Sequence, residues 1–161
     1  MHDQVTVDLP DEEATGALAR RLAPRLRQGD VIALYGDLGA GKTAFARALV
    51  RALGSPDDVP SPTFTLVQIY DVPVGRVWHF DLYRIDDPRE LIEIGWEDAL
   101  SDGIMLVEWP DRAGALLPAE RLDVRLDFAP SAGARVVTLR AGPALAARLF
   151  APALQHPAAG Q

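Results

Sequence analysis

Cysteine is absent from this chain of 161 residues, which excludes disulfides and every form of thiolate chemistry. Histidine is almost as scarce. His2, His79 and His156 are too scattered to suggest a zinc site, so any metal is expected to be held by oxygen. No apolar run approaches the roughly 20 residues that cross a bilayer. The opening MHDQVTVDLP also lacks the basic and apolar regions of a secretory signal, so a cytoplasmic protein with no membrane association is expected. Positive charge is in short supply as well: 16 Lys and Arg against 23 Asp and Glu leave a formal charge of -7. That balance argues against a surface that tracks nucleic-acid phosphates, because such affinity comes mainly from cations displacing counterions. Any role with RNA should be indirect, although solubility alone would also account for the charge.

A hydrophobic fraction of 48% beside 24% charged residues is that of a folded chain, and the length suits one domain with a full core. The pattern predicts that domain over residues 1–150 and a mobile tail rich in Pro and Ala over 151–161. Residues 4–9 alternate as a half-buried strand does, and from Asp11 a helix is predicted with Ala14, Leu18, Leu22 and Leu26 on one face, ended or kinked by Pro24. Val31 to Tyr35 is a continuous apolar run, the mark of a strand buried on both faces. A glycine-rich loop follows at once, and then a helix from about Thr43 with Phe45, Ala46, Leu49, Val50 and Leu53 as its apolar stripe.

Residues 55–62 hold three prolines and two aspartates and predict an exposed loop. The strand-like runs 63–72 and 76–85 are separated only by Pro73-Val74-Gly75, too short a connection for a parallel crossover, so an antiparallel hairpin is predicted. Helix is expected over 88–100, a buried strand over 104–108, two closing strands over 122–128 and 135–140, and a short helix around 144–150. The order is that of an α/β protein: a three-layer P-loop NTPase-like fold around a mixed sheet that contains the hairpin.

The loop Gly36-Asp37-Leu38-Gly39-Ala40-Gly41-Lys42-Thr43 matches G-x-x-x-x-G-K-[ST] completely. Its glycines let consecutive backbone N–H groups turn inward around phosphate, Lys42 brings positive charge to the outer phosphates, and Thr43 offers a hydroxyl to magnesium. The buried strand before it and the amphipathic helix after it are the neighbours such a loop needs. Chemistry on the bound nucleotide also needs a carboxylate near the metal. Two acids qualify. Glu108 ends the apolar strand 104–108, and Asp81 shares one strand face with His79 and Tyr83, opposite Trp78, Phe80 and Leu82. A solvated strand face for Asp81 and a structural ion pair for Glu108 are the alternatives, and His79 reads as a hydrogen-bonded scaffold residue. Ser61-Pro62-Thr63-Phe64 has the hydroxyls to act as a phosphate-sensing switch, or is simply a proline-fixed turn. Trp109 reads first as packing.

Taken in order, GDLGAGKT, SPTFTLV, HFDLYR and VEWP resemble the TsaE family in spacing as well as residues, from about Leu9 to Pro110 and more weakly into the last strands. That resemblance implies ATP and magnesium as cofactors, and hydrolysis that resets a complex with the TsaD and TsaB proteins during threonylcarbamoyl modification of a tRNA adenosine beside the anticodon. It implies that Lys42 and residues 37–43 hold phosphates, that Thr43 and Glu108 hold the metal, that Asp81 positions water or metal, and that Ser61 and Thr63 switch. The helix start at Asp11 and Thr15 resembles the family segment beside the adenine. The family's arginine after a glycine near the base has no certain counterpart, since the stretch here reads Ser131-Ala132-Gly133-Ala134-Arg135. The rival functions are a small-molecule kinase, for which only Asp111-Arg112 stands where a lid should be, and a nucleotide-binding regulatory switch with little turnover.

Overall fold

The run Val31–Tyr35 lacks polar alternation because neither of its faces meets water. In the computed structural model, which describes residues 2–55 and 66–150, it is a central strand of a seven-stranded sheet. The chain runs β1 (Asp3–Leu9), α1 (Glu12–Leu22), a 3-10 turn (Ala23–Arg25), β2 (Val31–Tyr35), α2 (Lys42–Ala52), β3 (Val67–Val72) and β4 (Gly75–Asp81). It continues through α3 (Glu90–Glu93), α4 (Trp96–Asp102), β5 (Gly103–Glu108), a 3-10 segment (Pro110–Leu116), β6 (Leu122–Phe128), β7 (Arg135–Ala141) and α5 (Pro143–Leu149). Sheet order is β1-β7-β6-β2-β5-β4-β3. β2 lies parallel to β5 and β6, and β4 parallel to β5. The hairpin β3–β4 and the pairs β6–β7 and β1–β7 are antiparallel.

Both sheet faces are covered, which gives three layers. On one face Val77, Ile104, Leu106, Leu34 and Val124 pack beneath α1, α2 and α5. On the other, Trp78, Phe80, Met105 and Val107 meet Leu91, Trp96 and Ala99 of the short helices. Asp11 starts α1 by accepting the Ala14 N–H at 2.9 Å, which satisfies one of the donors a helix start leaves open. The helix ends in the turn that contains Pro24. Among the described residues, no helix is long and apolar enough to cross a membrane.

Two expected elements are shorter than their sequence pattern. The helix expected over 88–100 is two pieces, because Gly95 takes φ +94 between α3 and α4, where a side chain would meet the Trp78 ring at 3.2 Å. The strand expected over 76–85 ends at Asp81, whose carboxylate accepts the Tyr83 N–H at 3.1 Å and turns the chain. Leu82 and Ile85 are buried beyond that end, so their apolar character comes from a packed turn. Ser61, Thr63 and the tail 151–161 lie outside the described residues.

Candidate nucleotide site

The site sits where β2, β4 and β5 end together. β2 delivers the loop 36–41, and α2 begins as that loop closes, with Gly41 at φ +110. Parallel register pairs Asp81 with Glu108 and His79 with Leu106, and paired residues in a parallel ladder point to the same side. His79, Asp81 and Glu108 therefore face the first turn of α2. Gly36 is needed for close approach: a Cβ there would stand 2.6 Å from the Leu126 carbonyl oxygen.

Lys42 is only 5% exposed. Its Nζ donates to the Gly36 and Asp37 carbonyls at 2.6 and 3.0 Å and lies 4.2 Å from the centre of the Trp109 ring. Burial pushes its pKa down, against the pull of Glu108, Asp81 and Asp37, which favour the charged form. Thr43 Oγ1 donates to Glu108 Oε1 at 2.9 Å, and Glu108 Oε2 lies 2.7 Å from His79 Nε2. Loop hydroxyl, strand-end acid and strand histidine thus form one chain from the cleft into the core. Asp81 stands at the edge of the same cleft, and its pKa is raised, first by burial and then by Glu108, with the Tyr83 N–H bond, His79 and Lys42 opposing.

Lys42, Thr43, Asp81 and Glu108, but not His79, line a cleft of about 360 Å³ that also takes in Leu38, Gly39, Tyr83, Arg84 and Trp109. Lys42, Thr43, Asp81 and Glu108 are brought together as the sequence reading requires. Asp81 itself is half-buried at the edge of the cleft, and His79 on the same strand face has no exposure. Asp11 is used as the α1 cap and does not line this cleft. Thr15 is buried, in a second hollow between α1 and α2 lined also by Glu12, Arg20, Ala48 and Arg51.

Two residues matter more than the sequence reading allowed. Trp109 has φ +58, a left-handed conformation that costs a non-glycine residue about 1 kcal/mol or more. Its ring packs on Tyr83 with centroids 5.0 Å apart and covers Lys42. Arg135 braces the phosphate loop from outside: Nε donates to the Ala40 carbonyl at 2.9 Å and Nη2 to the Gly39 carbonyl at 3.1 Å, while the guanidinium lies over Phe128. The sequence signal for Arg135 was the glycine-then-arginine pattern, which gives no partner without the β6–β7 register. For Trp109 the signal was its place after Glu108, where an aromatic can shape the site as well as pack.

Strand, phosphate loop, helix and facing acid define a P-loop protein fold. Residues 9–136 match the family model described as threonylcarbamoyl adenosine biosynthesis protein TsaE. The chain is 40% identical to the Rickettsia felis protein named tRNA threonylcarbamoyladenosine biosynthesis protein TsaE over 120 residues, covering 74% of this chain and 70% of that one. The protein of the same name from Aquifex aeolicus is 44% identical over 108 residues, covering 66% and 77%. The crystal structure of Bacillus subtilis YdiB superposes with a TM-score of 0.76 at 30% identity, covering 93% of this chain and 96% of that one. The chain belongs to the TsaE family.

Proposed function

We propose that this protein is the magnesium-dependent ATPase of tRNA threonylcarbamoyladenosine biosynthesis, hydrolysing ATP to reset a complex of TsaD and TsaB proteins and meeting tRNA only through that complex. The observation that carries the reading is the convergence of Lys42, Thr43 and Glu108, with Thr43 Oγ1 donating to Glu108 at 2.9 Å. That bond spends the hydroxyl's proton on the acid and leaves its lone pairs for a cation. The donor set therefore fits magnesium, a hard ion that takes oxygen, and ATP phosphates fit the loop 36–43, where Lys42 would exchange its carbonyl partners for phosphate oxygens. Bound magnesium would supply charge neutralisation on the phosphates.

The two acids divide the remaining work. Glu108 has both oxygens engaged, by Thr43 and His79, which suits an acid that orients the metal. Asp81 has a proton affinity raised by burial, which suits an acid that orients a water and takes up its proton. A kinase reading is disfavoured because the chain after Glu108 turns at once into the segment Pro110–Leu116, with Pro110 and Ala113 buried, leaving little chain for a lid. Ser61 and Thr63 keep their switch assignment as part of the proposal.

Phosphate release from ATP is the test, measured for the protein alone, with TsaD and TsaB, and with candidate metabolite acceptors. Slow turnover alone and stimulation by the two proteins are expected, with Thr63→Ala reducing stimulation more than ATP binding. Turnover that required a small acceptor and ignored both proteins would overturn the assignment.

A further inference from the structure

Glu108 is 2% exposed, and a carboxylate in that setting needs its oxygens satisfied. One oxygen is held by Thr43, in the cleft. The other is held by His79, which has no exposure at all and does not line the cleft. An ionised carboxylate only accepts, so this 2.7 Å contact assigns the proton to His79 Nε2. The other ring nitrogen, Nδ1, is buried with no hydrogen-bond partner among the described residues. A histidine kept only for its packing would not be expected to leave one nitrogen orphaned in the core, where an apolar side chain of similar volume would carry no such cost. What the ring does that such a side chain cannot is donate to Glu108.

We propose that His79 is a positioning residue for the metal site: by donating from Nε2 to Glu108 Oε2 it fixes the rotamer of the acid, so that Oε1 meets the Thr43 hydroxyl and the pair is set for magnesium before nucleotide arrives. The proposal rests on the reading of Thr43 and Glu108 as the magnesium site. It assigns His79 no contact with ATP. Strand geometry explains why this position can do the work: in β4 and β5, His79 pairs with Leu106 and Asp81 with Glu108, so the imidazole reaches Glu108 diagonally along one sheet face. Partners of this kind behind a metal ligand typically change metal affinity by about 10–100-fold when removed.

Two substitutions separate donation from bulk. Glutamine carries its amide nitrogen about as far along the side chain as Nε2, whereas asparagine reaches only as far as Nδ1. The experiment titrates magnesium into wild type, His79→Gln, His79→Asn and His79→Phe in the presence of a non-hydrolysable, fluorescent ATP analogue, and records analogue affinity without magnesium and the magnesium midpoint. His79→Asn and His79→Phe should raise the midpoint by roughly tenfold or more, His79→Gln should stay near wild type, and the magnesium-free affinity should hardly move in any of them. Equal loss with and without magnesium, or wild-type midpoints in both His79→Asn and His79→Phe, would overturn the positioning role. A wild-type protein whose binding ignored magnesium would fail the underlying site reading and take this proposal with it, an outcome visible before any variant is made. Should the substitutions prevent folding, nitrogen NMR of the wild-type protein decides: a proton on His79 Nε2 supports the role, and a proton on Nδ1 alone refutes it.

Discussion

Replacing Thr43 by valine keeps the shape of the side chain and removes one hydroxyl, so it isolates the bond from loop to acid. That bond is 2.9 Å long and joins residues 65 positions apart. Its acceptor is a carboxylate nine-tenths and more buried. A hydrogen bond to a charged group contributes about 1.5–3 kcal/mol, and because Thr43 itself is partly exposed, water will restore some of that. A net loss of about 1–2 kcal/mol is expected. For a chain of this size such a change lowers Tm by about 2–8 °C, and valine adds no cavity to confuse the result. The assay is thermal unfolding of the protein free of metal and nucleotide, paired with a magnesium titration of ATP binding. Thr43→Val should lose both the stability and most of the magnesium dependence. Thr43→Ser keeps the donor and should recover the magnesium response. A valine variant with wild-type Tm and a wild-type magnesium midpoint would refute the claim that this hydroxyl links the loop to Glu108.

Asp81→Asn should abolish most hydrolysis and yet raise Tm at neutral pH, because burial raises the aspartate's pKa and ionising it works against the fold. In sign, a folded-state pKa above the unfolded value gives stability that is full below the ordinary aspartate range and lost as pH rises through the raised value. The Asp81 contribution to metal-free stability should therefore decline over that window, so the difference from Asp81→Asn should vanish at its acid end; a variant less stable than wild type at pH 7 would refute this. Gly36→Ala puts a Cβ 2.6 Å from the Leu126 carbonyl oxygen in a backbone at φ +148. It should cost about 1–3 kcal/mol in denaturant unfolding and weaken ATP binding, whereas full stability would show that the loop can move away from β6.

The parts of the fold that were legible are those in which local pattern and tertiary role agree. Val31–Tyr35 is apolar throughout because sheet neighbours and two helical layers enclose it, and the P-loop is legible because its glycines, lysine and threonine each meet a separate local demand. The break at Gly95 was missed because a lone glycine interrupts a helix only when tertiary packing favours it, here through the close approach of Trp78. The buried turn after Asp81 looked like strand because Leu82 and Ile85 serve the core from irregular backbone. In the site, Lys42, Thr43, Asp81 and Glu108 could be read from position within strands and loop. The Arg135 brace and the His79 contact could not, since each depends on a register between strands that sequence spacing does not state.

The most direct test of the central claim is to measure magnesium-ATP binding and single-turnover cleavage for wild type and Lys42→Ala side by side, with TsaD and TsaB present. Lys42 is the one cation whose ammonium is held inside the phosphate loop, by two of its carbonyls, and the backbone cradle cannot replace its charge. A lost charged hydrogen bond of about 1.5–3 kcal/mol corresponds to roughly a tenfold to hundredfold loss of affinity, so the variant should bind ATP at least about tenfold more weakly and cleave it far more slowly. A Lys42→Ala protein that bound and cleaved ATP as wild type does would contradict the assignment of this cleft as the nucleotide site.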